Sequence, residues 1–158
     1  MAKSIKLTQG KVAIVDDEDF EWLSQWKWHV NKGLYAVRSV KNPGSTVSMH
    51  REILGVEKGV NVDHKNEDGE IGGFNNQRYN LRICNQSQNG ANSRLSKNNT
   101  SGVSGVSWVK KLSVWRVYLM VNRKQIFFGH YKDLKVATKI RNEKAKELFG
   151  DFARTYDV

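Results

Sequence analysis

The sequence predicts an α+β fold in two parts, of which the second is a three-stranded antiparallel sheet packed on one helix. Short β-branched runs separated by Gly- and Asn-containing turns are typical of small antiparallel sheets. Residues 133–149 place apolar side chains at helical spacing, which predicts an amphipathic helix. Positive charge is concentrated in the same region: residues 96–158 carry 13 Lys and Arg against 5 Asp and Glu, so +8 of the net +10 lies there. This distribution favours a module that binds a polyanion, with a solvated basic face as the alternative.

At 158 residues and 39% hydrophobic content, the chain is long enough to bury a core as one domain or two small ones. Its single cysteine, Cys84, excludes an internal disulfide and a zinc site built on Cys pairs. No apolar run approaches the roughly 20 residues that span a bilayer. We therefore expect a soluble, cytoplasmic protein that does not enter a membrane.

The first part begins with short elements that alternate between strand and helix patterns. Residues 11–15 are β-branched and predict a strand. Residues 16–26 place four acids before apolar residues at roughly helical spacing, which predicts a short helix with its acids at the positive end of the dipole. A metal-binding carboxylate cluster is the alternative there. Residues 27–40 predict a hairpin with Gly33 in its turn, and residues 46–56 predict a strand that runs into a helical turn.

The segment that follows is mostly polar. Residues 60–64 and 80–84 predict two short strands joined by a loop of 15 residues, and a loop of that length in a compact unit is usually functional or disordered. Asn85 is a good cap for a helix, although the residues after it have low helix propensity and contain Gly90. Packing in a hydrophobic core does not explain the polar composition of this segment, so we expect it to have another role.

The second part follows a polar joint, and we place the domain boundary at residues 96–101, between a first domain of residues 1–95 and a second of residues 102–158. Three strands are predicted, at residues 102–109, 114–121 and 124–131. The helical pattern that follows predicts a buried face made by Val136, Ile140, Ala145, Leu148 and Phe149.

Alternation along the middle strand predicts two faces. One set is expected to pack on the helix: Trp115, Val117, Leu119 and Val121. The other set is expected to face outward: Arg116, Tyr118 and Met120.

Four residues of the polar segment have the chemistry of a metal-dependent hydrolase. The Asp63 carboxylate and the Asn89 amide offer hard oxygen ligands suited to one Mg²⁺ or Mn²⁺ ion. His64 can take a proton from an attacking water. Asn80 can orient that base, either by bonding the ring or by fixing the adjacent backbone. From these residues alone, a structural network of polar turns is the alternative.

The order of these residues resembles the HNH endonucleases of phages and mobile homing elements: "VDH", a polar loop, "NLR", then an Asn nine residues after Asn80. The resemblance covers residues 6–94. It implies a ββα-metal (His-Me finger) core at about residues 60–94, with Asp63 and Asn89 as ligands of one divalent metal. It also implies His64 as the general base and Asn80 as the residue that positions it.

Further residues follow from the same resemblance. The loop before Asn80 is longer than the family pattern, and "FNNQR" stands where "LDNR" is familiar, which leaves Asn76 as a supporting residue. His50 is either a residue that supports the catalytic groups or a direct contact to phosphate or metal, and Arg51 and Arg82 are expected to contact DNA. The loop acids are either additional metal ligands or solvent-exposed: Glu67, Asp68 and Glu70.

The basic part resembles the apetala-two/ethylene-response-factor type of DNA-binding domain over residues 102–156, through "SGVSGVSW", "VWRVYLMV" and "QIFFGHY". The resemblance implies that one face of the sheet lies in the major groove of duplex DNA. The residues expected to reach the bases are Ser107, Trp108, Arg116, Tyr118, Gln125 and Phe127. The residues expected to contact phosphates are Lys110, Lys111, Arg123 and Lys124.

The sequence thus predicts a metal-dependent endonuclease that nicks or cuts duplex DNA. We expect a monomer with no obligate protein partner, in the cytoplasm of a bacterial or phage-infected cell. The alternatives are a DNA-binding regulator with an inactive nuclease region and an RNA-directed nuclease.

Overall fold

The computed structural model describes residues 1–40, 44–66, 72–93 and 95–157. The chain forms two compact units, Met1–Cys84 and Asn85–Val158. Both are mixtures of helices and small antiparallel sheets. The domain boundary at residues 96–101 stays a prediction; in the structure, those residues connect a helix to the sheet of the second unit.

The first unit contains short strands and two helices. Its strands are β1 (Ala2–Lys6), β2 (Val12–Asp16), β3 (His29–Val30), β4 (Ala36–Ser39), β5 (Thr46–Ser48), β6 (Asn61–His64) and β7 (Leu81–Cys84). Its helices are α1 (Asp17–Ser24) and α2 (Met49–Leu54). β1 pairs with β2, β3–β4–β5 form one sheet, and β6 pairs with β7, all antiparallel.

The strands and helices predicted for this unit are confirmed, but β1 was not predicted. Only Ile5 of β1 is buried, so the strand shows no alternation of apolar and polar residues that a sequence pattern could detect. The core against which it packs contains Leu7, Ala13, Val15, Leu23, Trp28, Val30, Ala36, Met49, Ile53, Phe74 and Leu81.

The acids at the start of α1 confirm the predicted helix start and also bind a distant segment. Asp19 is buried and accepts hydrogen bonds from Arg78 at both carboxylate oxygens, at 2.9 and 2.7 Å. Asp16 accepts from the Gln77 amide and from the backbone of Arg78, both at 2.8 Å. The backbone N–H of Asn76 donates to the carbonyl of Ile14 in β2 at 2.7 Å. These contacts hold the segment that precedes β7 against β2.

The second unit contains α3 (Gln86–Asn92), the strands β8 (Val106–Val109), β9 (Val114–Val121) and β10 (Lys124–Tyr131), and α4 (Leu134–Phe149). The three strands form an antiparallel sheet with β9 in the centre. Asn85 caps α3 in a capping box with Gln88, and Asp133 caps α4. The predicted sheet, the helix and the Asn85 cap are therefore confirmed.

The predicted alternation of β9 is confirmed, since Val117 and Leu119 are buried, and Trp115 and Val121 pack against the same core. The predicted face of α4 is partly wrong. Val136 is 48% exposed and Leu148 is 42% exposed. The buried face instead follows an exact four-residue spacing through Ala137, Arg141, Ala145 and Phe149.

Arg141 occupies the centre of that face and is 1% exposed. Its Nε donates to the carbonyl of Ser104 at 2.8 Å, and its Nη1 donates to the carbonyl of Arg154. The guanidinium carbon also lies 4.8 Å from the ring centre of Tyr156. Burial lowers the pKa of Arg141. Arg141 thus connects α4 to the segment before β8 and to the carboxyl-terminal segment.

The position of Gly105, before β8, requires glycine because the backbone there lies very close to the backbone of Tyr118 in β9. Its φ is +84°, and a Cβ at this position would lie 2.3 Å from the carbonyl oxygen of Tyr118. The backbone N–H of Tyr118 donates to the carbonyl of Gly105 at 2.8 Å. A residue with a side chain would therefore force β8 away from β9.

Over the described ranges, no helix is long and apolar enough to cross a bilayer.

Arg141→Ala should destabilise the protein by roughly 3 kcal/mol, because it leaves buried carbonyl groups without their donors. The free energy of unfolding, measured with urea, checks this. Lys144→Ala is the control: it removes an exposed Lys144–Glu147 pair on the same helix and should leave the unfolding midpoint nearly unchanged. Equal midpoints for the two variants would contradict the role given to Arg141.

Candidate functional site

The hairpin β6–β7 places Asp63 and His64 side by side at the end of β6. Asp63 is paired in register with Arg82, and His64 with Leu81. Asp63 is 2% exposed and His64 is 1% exposed. Successive residues of a strand point to opposite faces, so both faces of this hairpin are covered at its end.

The Asp63 carboxylate forms an ion pair across the hairpin. Its Oδ2 accepts from Arg82 Nε at 2.7 Å and from Nη2 at 2.6 Å. The Arg82 side chain is mostly buried. Arg82, which was expected to contact DNA, is thus engaged with the carboxylate that was expected to bind metal.

His64 is held by Asn76, not directly by Asn80. The His64 Nε2 lies 3.2 Å from Asn76 Oδ1, and Asn76 Nδ2 donates to the carbonyl of Phe74 at 3.1 Å. The bond to Phe74 fixes the orientation of the Asn76 amide. The Phe74 carbonyl can only accept a hydrogen bond, so it must face the Asn76 nitrogen and not the Asn76 oxygen. The oxygen then faces His64, so Nε2 carries a proton. In the neutral ring, the lone pair is therefore on Nδ1.

Asn80 fixes the backbone that follows His64, which is one of the two roles considered for it. Its backbone carbonyl accepts from the N–H of Lys65 at 2.8 Å, and its Oδ1 accepts from the N–H of Asn66 at 2.9 Å. Its Nδ2 donates to the carbonyl of Asn75 at 2.8 Å. Asn80 thereby connects the backbone directly after His64 to the backbone of Asn75.

Two further rings pack against His64. The ring of Tyr35 stacks on it with centres 5.7 Å apart, and the ring of His50 meets it edge-on at 5.1 Å. Gly73 allows this arrangement, because a Cβ there would lie 2.5 Å from the carbonyl of Leu34, next to Tyr35. Sequence patterns gave no signal for Tyr35, which lies 29 residues before His64 and reaches it only through the β3–β4 hairpin.

His50 is buried in this cluster, and its Nδ1 has no hydrogen-bond partner among the described residues. Burial, followed by the charges of His64 and Arg51, lowers the pKa of His50 to about 3. A neutral ring at pH 7 fits the supporting role better than a direct phosphate contact. Arg51, the expected DNA contact, donates to the carbonyls of Val60 and Glu57.

Asn89 lies on α3, in the second unit, and is exposed. Its pairing with Asp63 around one metal ion stays a prediction. Within the described ranges, no three His, Cys, Asp or Glu side chains form a group that could hold a metal ion. The predicted donors are one carboxylate and one amide, both hard oxygen groups that suit Mg²⁺ or Mn²⁺. The loop acids lie outside the described residues: Glu67, Asp68 and Glu70.

The sheet of the second unit presents a face that points away from α4, which we call the outer face. Its side chains form three rows across the strands. The rows are Ser107–Arg116–His130, Tyr118–Phe127 and Met120–Gln125. Phe127 is 54% exposed and Met120 is 51% exposed.

The expected base-contacting residues lie on this face, with one exception. Trp108 pairs in register with Trp115, and their ring centres are 4.9 Å apart, so Trp108 points to the side of the sheet that bears α4. His130 was not predicted as a site residue, because its position on the outer face depends on the register shift between Phe127 and Gly129.

Two features of the outer face concern charge. Arg116 lies over the ring of Tyr118 at 5.2 Å, and its Nε is buried without a hydrogen-bond partner in the part of the chain that the structure describes. Residues 71–132 contain no Asp or Glu at all. The expected phosphate contacts are exposed in the turns at either end of β9: Lys110 and Lys111 in one, Arg123 and Lys124 in the other. The whole sheet thus has a positive charge without local compensation.

Acid should destabilise the protein partly through His50. Its pKa is depressed in the folded state, so its contribution to stability is complete above about pH 6.5 and is lost as the pH falls toward about 3. His50→Gln should therefore flatten the dependence of the unfolding free energy on pH between these values. Urea unfolding at pH 7 and pH 4.5 measures this, and His130→Gln, which removes an exposed histidine, should keep the original slope. Parallel slopes for His50→Gln and the unmodified protein would refute the assignment.

The chain matches no protein-family model, and no solved structure matches it. It is similar to Protein 3.8 of Escherichia phage T7, with 35% identity over 99 residues, which cover 63% of this chain and 78% of that protein. The name of that relative states no activity. The extent of the match nevertheless shows the family, and the chain belongs to the family of phage T7 Protein 3.8.

Proposed function

We propose that the protein is a metal-dependent DNA endonuclease of the HNH type, which hydrolyses phosphodiester bonds in duplex DNA. The observation that carries this proposal is the contact between His64 and Asn76. A buried amide oxygen holds the proton on Nε2, so Nδ1 of the neutral ring can accept a proton from water.

The order of elements around His64 supports the finer assignment of the fold. The hairpin β6–β7 is followed directly by α3, which is the ββα order of the proposed catalytic core. In this assignment Asp63, which is paired with Arg82 in the structure, and Asn89 would hold a divalent metal ion, and the ion would supply positive charge for the scissile phosphate and the departing oxygen. Asn76 contacts the ring of His64, and Asn80 bonds the backbone of the two residues that follow it.

The second unit supports duplex DNA as the substrate. Its outer face combines Arg116 and Gln125, whose side chains match the edges of guanine and adenine, with an absence of carboxylates from residue 71 to residue 132. The basic turns flank this face at both ends of β9 and suit phosphate groups. Under this proposal the protein acts as a monomer.

Purified protein should nick or linearise supercoiled plasmid in the presence of Mg²⁺ or Mn²⁺ and fail to do so with EDTA. His64→Ala should lower the rate by roughly 10²-fold or more, because the general base is lost. Asn76→Ala should also lower it, whereas Asn75→Ala is the matched control, since Asn75 contacts Tyr79 and Gln77 instead of the ring. Conversion of plasmid on agarose gels gives the rates.

Two results would count against the endonuclease. Undiminished cutting by His64→Ala would remove the proposed base. Absence of cutting together with salt-sensitive plasmid binding would favour a DNA-binding regulator, and stronger binding of RNA than of duplex DNA would favour an RNA-directed protein.

Arg123→Gly should make the protein more stable but a weaker DNA binder. Arg123 has φ +64° in the β9–β10 turn, and this backbone conformation favours glycine. A residue with a side chain is strained there, so arginine at this position lowers the stability of the fold. Loss of one phosphate contact should reduce the slope of log K against log salt by about 0.9. Ser113→Gly, at φ +52° in the β8–β9 turn, is the control: it relieves similar strain without removing charge and should leave DNA affinity unchanged. Thermal unfolding and fluorescence anisotropy measure the two effects.

A further inference from the structure

The outer face carries more exposed apolar surface than a phosphate-binding module needs. Phe127 and Met120 are each more than half exposed; Phe127 lies in the row next to Arg116, and Met120 lies in the row after that. Exposed apolar groups that cluster on one face usually mark an interaction site. Phosphate groups would gain nothing from these side chains, so the pair favours contact with an apolar part of the ligand.

We propose that the outer face recognises thymine methyl groups in the major groove, at defined positions beside a guanine. This rests on the proposed DNA-binding role. The methyl group of thymine is the apolar feature that bases present in that groove, and side chains such as Phe contact it. Arg116 would bind the guanine, and Tyr118, Phe127 and Met120 would form the methyl-contacting surface.

The geometry of β9 sets the spacing. Arg116, Tyr118 and Met120 are alternate residues of one strand, so each is about 6.7 Å from the next. That distance is close to two base-pair steps of roughly 3.4 Å each. With β9 placed along the axis of the duplex, the face is expected to favour a guanine with thymines about two and about four base pairs away.

The side chains around Arg116 favour this assignment. Its guanidinium is stacked on Tyr118, with its carbon 5.2 Å from the ring centre, which orients the group before DNA binds. The ring of Phe127 in turn contacts the ring of His130 edge-on, with centres 5.0 Å apart. The charge of the surroundings is complementary to DNA, since no carboxylate occurs between residues 71 and 132.

The test compares two pools of short duplexes of random sequence, one synthesised with thymidine and one with deoxyuridine. The pools carry the same phosphates and the same hydrogen-bonding groups and differ only in the methyl group. The full-length protein should bind the thymidine pool more tightly. In sequences selected from that pool, replacing a contacted thymine by uracil should weaken binding about fourfold for each methyl group removed.

Variants of the protein assign the effect to the outer face. Phe127→Ala and Met120→Ala should bring the ratio of the two affinities close to one while salt-dependent binding remains. Ile126→Ala is the matched control, because Ile126 is also an exposed apolar residue of β10 but is paired with Leu119, so it points to the other face. It should retain the preference for thymidine.

Equal affinity for the two pools would overturn the proposal, as would a preference that persists in both Phe127→Ala and Met120→Ala. Tighter binding of single-stranded DNA, with no difference between thymine and uracil, would also overturn it and would indicate that the rings stack on exposed bases. In each of these cases the protein still binds DNA. Failure to bind any of the nucleic acids would instead refute the DNA-binding role itself.

Discussion

The candidate catalytic region depends on a network of buried amide groups. Asn76 and Asn80 are almost completely buried, and an amide in such a place is stable only when its donors and acceptors are paired. Their partners are the ring of His64 and the backbones of Phe74, Asn75 and residues 65–66. These bonds connect His64 and residues 65–66 to residues 74–80, so polar groups hold together parts of a segment that has few apolar residues. The polar side chains of this segment thus hold the His64 ring by a hydrogen bond, which apolar side chains could not do.

Carboxylates have different roles in the two units. In the first unit, acids are paired with arginines: Glu52 with Arg38, Asp19 with Arg78 and Asp63 with Arg82. Buried charges of this kind need partners, and each pair joins two separate segments. In the second unit, the few acids lie beyond residue 132, on or after α4 and at its cap, and the sheet has none. The positive potential of the sheet therefore results from the absence of acidic residues on it as well as from its basic residues.

Sequence patterns predict local elements well in this chain and long-range contacts poorly. The strands β6 and β7, the cap at Asn85 and the two faces of β9 follow from short-range signals, whereas the pairing of β6 with β7 was implied only by the family resemblance. The contact between Asn76 and His64 does not, because it depends on the route of the intervening loop, and the resemblance of "NLR" to a family motif directed attention to Asn80 instead. The face of α4 was partly mispredicted for a related reason. A hydrophobic pattern cannot indicate that Arg141 belongs in the core, since its burial depends on carbonyl acceptors from residues far away in sequence.

Several places where local rules are broken lie in the two regions to which we assign function, although others, such as the positive φ of Gln9 and the exposed ring of Trp26, lie elsewhere. Arg123 adopts a backbone conformation that glycine would adopt more easily, Phe127 and Met120 expose apolar side chains, and His50 buries a nitrogen without a partner. Each of these features costs stability in the isolated protein. The apolar residues of both units form packed clusters, so the exceptions are not a sign of a poorly packed chain. The exceptions at Arg123, Phe127 and Met120 lie on the sheet surface, and the one at His50 lies among the rings around His64, where the proposed functions give a reason for selection to retain them.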